Sequence, residues 1–259
     1  MSILSSLTPP PGLRVLVTAG AGGIGAKIVA GFVETGAKVH FSDVDADAVA
    51  AATAESVTGS VANAADEADT RRLFDEAREA MGGIDVVVAN AGIAGPTATI
   101  GDISADNWDQ TLDVNLRGAY LAARFGAPDL IAAKGSFIAM SSVAGRLGFA
   151  YRTPYSAAKW GIVGLVKSLA AELGPQGVRA NAIMPGIVEG PRIDRVISAR
   201  ADELGISFEE MRERNLAKVS LRRMVTAEDI AATCLFLCAP GGGSISGQAL
   251  SVCGNVEAL

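Results

Sequence analysis

The feature that most constrains this 259-residue chain is a short β-branched run that breaks into glycine. Arg14-Val15-Leu16-Val17-Thr18 reads as a strand, and Ala19-Gly20-Ala21-Gly22-Gly23-Ile24-Gly25 follows at once. An amphipathic helix then runs through about Glu34. Strand, glycine turn and helix N-terminus in that order let the backbone approach a pyrophosphate. The glycines clear the way, and the helix's free N–H groups and dipole favour the anion. Gly20, Gly22 and Gly25 satisfy the general GxGxxG spacing.

The rest of the chain continues the alternation. A second strand, Lys38–Ser42, ends in Asp43, and a helix covers Glu67–Met81. Ile84–Ala89 is a buried strand by its apolar continuity, and Trp108–Lys134 reads as one long helix apart from Gly118, Gly126 and Pro128. Later strands are Phe137–Met140, Arg179–Met184 and Gln248–Val252, with a capped helix from Thr226-Ala227-Glu228-Asp229 through Leu237. About seven strands alternating with helices specify an α/β fold, a single doubly wound, Rossmann-like parallel sheet. Residues 1–12, with Pro9-Pro10-Pro11, form a stiff lead-in, and 13–259 make one domain.

Composition narrows the function. Thirty glycines, 5% aromatics and 49% hydrophobic residues suit a well-buried parallel sheet with tight turns. A net charge of −6 argues against nucleic acid or an anionic membrane as partner. The start lacks a signal-peptide pattern, and no apolar run reaches a membrane span. Cys234, Cys238 and Cys253 lack metal-ligand spacing; the first two read as small apolar residues on a helix, and no metal is expected. His40, the single histidine, reads as a filler and not a base. These points lead to the expectation of a soluble, reduced, cytoplasmic protein.

The stretch Ser142–Lys159, SVAGRLGFAYRTPYSAAK, carries the chemistry. Tyr155 and Lys159 are four residues apart and share a helix face, and Ser142 lies at the end of a strand. A phenol titrating near 10 is a poor base at neutral pH, and a neighbouring cation favours its phenolate. A serine hydroxyl can hydrogen-bond an oxygen that gains charge. The set suits oxidation of a carbinol or reduction of a carbonyl.

At these residues, and over Leu13–Val252, the sequence resembles the short-chain dehydrogenase/reductase family in its form of about 250 residues. Thr18, Gly23, Ile24 and Gly25 match the family's TGxxxGIG, with Ala19 in place of its first glycine, an exchange that suits a negative φ. Asn90-Ala91-Gly92 matches its NNAG after Ala89, and Asn115 matches the asparagine that completes its Asn-Ser-Tyr-Lys tetrad. The resemblance implies Tyr155 as general acid/base and Lys159 as the cation that lowers its pKa and holds the nicotinamide ribose. It implies Ser142 as the group that orients the reacting oxygen, and Asn115 as the holder of a water linking Lys159 to solvent.

Cofactor contacts are implied for the glycine turn, for Ser60-Val61 near the adenine, for Asn90-Ala91-Gly92, and for Pro185, Gly186 and Val188 over the nicotinamide. Ser60 stands for the family's usual Asp, Gly190 for a threonine, and Cys253-Gly254-Asn255 for Asp-Gly-Gly. Asp43, 18 residues after Gly25, should bind ribose hydroxyls and repel a 2′-phosphate, so the implied cofactor is NAD. The Arg-rich stretch at about 188–225, with helical patterns at Ile193–Leu204 and Phe208–Val219, reads as a substrate lid.

The expected function is NAD(H)-dependent interconversion of a secondary alcohol and a ketone. A 3-oxoacyl-thioester reductase using NADPH and a non-catalytic dinucleotide-binding protein are the alternatives. Arg146, Arg152, Arg192 and Arg195 raise the further expectation of an anionic substrate, against their serving as surface residues. In proteins like this one the helices carrying Asn115 and Tyr155 pair across a two-fold axis, which implies a homotetramer.

Overall fold

The computed structural model describes residues 2–256, apart from the side chains of Arg192, Ala199 and Glu203. Seven strands form one parallel sheet: β1 (Arg14–Thr18), β2 (Lys38–Asp43), β3 (Val57–Val61), β4 (Val86–Ala89), β5 (Ser136–Met140), β6 (Arg179–Pro185) and β7 (Ala249–Val252). Their order is β3-β2-β1-β4-β5-β6-β7, so the direction of winding reverses between β1 and β4. Both sheet faces are covered, which is why β1, β4 and β5 are apolar almost throughout instead of alternating.

The helices described are α1 (Gly23–Glu34), α2 (Ala46–Ala52), α3 (Glu67–Met81), α4 (Ala105–Leu112), α5 (Gly118–Ala133), α6 (Thr153–Leu173), α7 (Pro191–Leu204), α8 (Phe208–Leu216) and α9 (Ala227–Cys238). One core cluster lies between the sheet and α1 and α9, around Phe32, Phe41 and Ile230. A second lies under α3, α5 and α6, around Phe74, Phe137 and Ile162. Two small clusters sit apart from the sheet. One of them, Ile197, Ala201, Met211 and Met224, joins α7 to α8.

The sequence boundaries hold at α1 and α3. Asp66 caps α3 through the Asp69 amide, and left-handed Gly82 ends it. Thr226 and Asp229 form the expected capping box on α9. The long helix expected over Trp108–Lys134 is interrupted. It begins at Ala105 as α4, passes through a π turn at Asp113–Arg117, and resumes as α5. The second lid helix ends at Leu216, short of the expected Val219.

Candidate active site

The carboxyl ends of the strands open on a cleft of about 510 Å³ at the reversal between β1 and β4. One end is the turn from β1 to α1. Ala19 there has φ 51°, a left-handed conformation, and not the negative φ at which a methyl is readily tolerated. Its neighbours impose this. Asn90 Nδ2 donates to the carbonyls of Ala19 (3.0 Å) and Thr18 (3.1 Å), and Thr18 Oγ1 accepts from the amides of Asn90 and Ala91, both at 3.0 Å. Thr18, Asn90 and Ala91 therefore brace β1 against β4, with Asn90 also forming part of the cleft wall. Gly25 packs under the Ala19 carbonyl, where any Cβ would collide.

Gly22, Gly23 and Ile24 line the cleft, and nothing lies within 4 Å of where a Cβ on Gly22 or Gly23 would stand. Gly20 faces away, its amide donating to Ser42 O (2.8 Å) and its Cα packed against Phe41. Asp43 reaches the cleft edge. Its carboxylate accepts from the amides of Val44 (2.8 Å) and Ala21 (3.2 Å), which fixes it beside the turn.

Ser60 and Val61 are not brought into the cleft. The Ser60 hydroxyl donates to Glu76 Oε2 and lies 2.8 Å from His40 Nε2, while His40 Nδ1 lies 2.7 Å from Thr58 Oγ1. Since Ser60 donates to the carboxylate, it accepts from Nε2–H, and in the neutral ring Thr58 donates to Nδ1. His40 thus sits in a buried polar chain outside the cleft. Burial pushes its pKa below the usual histidine value, with Glu76 opposing.

At the other end, β5 runs out at Met140 and Ser142 follows in extended conformation, its Oγ accepting from the Ala144 amide (3.2 Å). Neighbouring Ser141 donates to Lys159 O (2.7 Å), tying this strand end to α6. Tyr155 and Lys159 share the inner face of α6. Lys159 is buried, its Nζ donating to Met140 O (2.8 Å) and standing 5.5 Å from the Tyr155 ring centroid.

Asn115 enters from the π turn, a local widening that appears often at functional sites. Its Nδ2 donates to Thr111 O (2.8 Å) and Ile93 O (3.1 Å), and its Oδ1 is buried with no donor among the described residues. A Cβ on Gly92 would stand 2.7 Å from that oxygen and 3.3 Å from Lys159 Nζ, so this glycine keeps a space open between them.

The cleft roof is Pro185, Gly186, Ile187 and Val188. Gly186 donates to Val252 O (2.9 Å) and packs against Cys253, while Val188 bridges to Val225. Ile193 and Val196 of α7 complete this side. Phe149, Ile187 and Val196 are wall residues the sequence did not single out: Phe149 and Ile187 lie on loops, which leave no periodic signal, and the helical pattern that includes Val196 did not show which of its faces meets the cleft.

Of the four arginines, Arg152 lines the cleft. Arg146 turns away, its Nη2 donating to Val256 O (2.8 Å). Arg195 is exposed and off the cleft, and the Arg192 side chain lies outside the described residues. Among the described residues there is no cluster of metal-ligating side chains, and no helix is long and apolar enough to cross a membrane.

A family model described as enoyl-(acyl carrier protein) reductase matches residues 19–255. The chain is 35% identical to a probable galactose dehydrogenase of Rhizobium meliloti, over 95% of this chain and 96% of the other. It is 34% identical to a putative ketoacyl reductase of the granaticin polyketide synthase of Streptomyces violaceoruber, over 93% and 92%. The solved structure of levodione reductase, 28% identical, superposes with a TM-score of 0.89 over 95% of this chain and 97% of its own. With relatives and model matching nearly from end to end, and the seven-stranded sheet in common, the chain belongs to the short-chain dehydrogenase/reductase family, in its form of about 250 residues.

Proposed function

We propose that the protein is an NAD(H)-dependent oxidoreductase that interconverts a secondary alcohol and a ketone. One observation carries the reading: Asn115, Ser142, Tyr155 and Lys159 meet at one end of a cleft whose other end is a glycine turn, a helix N-terminus and Asp43. The residues fit a nicotinamide dinucleotide. Gly22 and Gly23 leave room for a pyrophosphate at the start of α1, and Asp43, at the cleft edge, would accept from ribose hydroxyls and repel a 2′-phosphate. No lysine or arginine stands in the turn to hold that phosphate.

The chemistry a bound nicotinamide would supply is acceptance of hydride from the carbinol carbon in oxidation, or its donation to the carbonyl carbon in reduction. Ser142 Oγ hydrogen-bonds the reacting oxygen. In oxidation the Tyr155 phenolate takes the hydroxyl proton; in reduction the phenol returns a proton to the carbonyl oxygen. Lys159, buried beside the Tyr155 ring, would hold the nicotinamide ribose. A water between Asn115 Oδ1 and Lys159 Nζ would satisfy the one and link the other to solvent. The segment at 188–225, whose α7 supplies Ile193 and Val196, would close over the substrate.

Absorbance at 340 nm over a panel of alcohols and ketones, with each cofactor, tests the reading. NAD(H) turnover is expected, with Tyr155→Phe lowering kcat by roughly 10²- to 10⁴-fold while NADH still binds. Asp43→Ser should narrow the preference for NAD over NADP; equal wild-type use of NADPH would remove the assignment of Asp43. A 3-oxoacyl-thioester reductase using NADPH is the second reading. The acyl-carrier description of the matched model and the ketoacyl-reductase relative favour it, and Asp43 opposes it.

A further inference from the structure

We infer that Arg152 makes this cleft select a substrate with an acidic group, a carboxylate, sulfonate or phosphate, within a few bonds of the reacting carbinol. The inference rests on the reading above, in which Tyr155 works on a substrate oxygen. Arg152 immediately precedes α6, three residues before Tyr155. It is only 7% exposed, yet it forms part of the cleft wall.

Its guanidinium carbon lies 5.1 Å from the Tyr155 ring centroid and 5.3 Å from that of Phe149, and Nη2 donates to Ala94 O at 2.6 Å. Two ring faces and a carbonyl hold the charged plane beside the reactive phenol. Little ordering remains to be done when an anion meets it. Arginine stays charged at any working pH.

The surroundings sharpen the selection. A substrate that reaches Tyr155 displaces water from this wall and strips the guanidinium of solvent. With a neutral apolar group in that place, desolvation brings no return; with an oxyanion, the fixed charge makes a charge-assisted hydrogen bond in a dry site. Phe149, Ile187, Ile193 and Val196 make the adjoining wall apolar. Lys159 adds a second positive charge on the same side. The cleft's acidic side chains among the described residues are Asp43, at the far end, and exposed Glu189. A small hydroxy or oxo acid with a short carbon chain fits this wall.

The rival role is a strap, Arg152 merely tying the Ala94 loop to α6. Wild type, Arg152→Gln and Arg152→Lys would be assayed with NAD on matched pairs of secondary alcohols that differ only in a terminal carboxylate or its amide. The anionic-to-neutral ratio of kcat/KM is expected to fall about 10- to 150-fold in Arg152→Gln, and less in Arg152→Lys, which keeps the charge but not the fork. An unchanged ratio, whether both substrates lose equally or neither loses, overturns the inference. Calorimetric binding of the carboxylate ketone to each protein gives a readout without turnover. Binding weakened about 10- to 150-fold in Arg152→Gln, together with a wild type inactive on every substrate, keeps the anion site and removes the oxidoreductase reading. Equal binding to wild type and both variants overturns the anion site.

Discussion

Ala19 shows how a single residue can be held against its own preference. Left-handed backbone with a Cβ costs roughly 1–2 kcal/mol. Here the Asn90 hydrogen bonds and the approach of Gly25 to the Ala19 carbonyl fix the turn in that form. Glycine carries no such penalty but is more disordered when unfolded, so Ala19→Gly should raise the unfolding free energy by about 1 kcal/mol. The expected observation is a higher urea midpoint at unchanged slope; an unshifted or lowered midpoint would count against the left-handed turn. The sequence marked this position as unusual but could not set its φ, because the carbonyl's partner lies 71 residues away. Asp43, Ser142, Tyr155 and Lys159 were legible because their spacing to a strand end or along a helix fixes their direction. Ser60 was not, because its facing depends on how β2, β3 and α3 come together.

Elements were legible where one signal dominates. Apolar continuity bounded by glycine or polar residues located β1, β4 and β5, and cap chemistry located α9. The π turn was hidden, since Asp113-Val114-Asn115-Leu116-Arg117 continues a helical pattern and the extra residue per turn is set by packing. The chain Thr58–His40–Ser60–Glu76 was hidden too, because it crosses β2, β3 and α3. That chain has a consequence for acid stability. His40 titrates lower when folded than its ordinary value of 6.5, so the unfolded chain binds the proton first. The contribution is fully present above pH 6.5 and is lost as pH falls below it toward the folded value, by at most about 1.4 kcal/mol per pH unit. As the single histidine, His40 makes the effect assignable. Unfolding free energies between pH 7.5 and 5.5 should fall in wild type and fall less in His40→Gln. Parallel curves would dissociate His40 from the acid response.

At the scale of the molecule, α5 and α6 leave a face uncovered. Tyr120 (45% exposed) and Trp160 (51%) stand outward, beside the small residues Ala157 and Gly164 on α6. Aromatic side chains flanked by small ones allow two helices to approach closely, and a two-fold axis uses each such contact twice. At the sheet's end, β7 has a single strand neighbour, β6, and presents an edge that would be covered by a second copy. Two such faces, each pairing with its own copy across a separate axis, would close as a tetramer with no further surface. The alternation of strands and helices could not show this, since exposure of these helix faces depends on which side of the sheet each crossover takes. We therefore propose a homotetramer, measured as a fourfold mass by light scattering at micromolar concentration. Trp160→Glu would place two carboxylates against each other at the α5/α6 face and should leave dimers joined through β7. Asn115 lies in the π turn leading into α5 and Tyr155 on α6, so those dimers should also lose kcat while NADH still binds. A wild type that scatters as a monomer removes the proposal, and a Trp160→Glu protein that remains tetrameric shows that the α5/α6 face is not the contact.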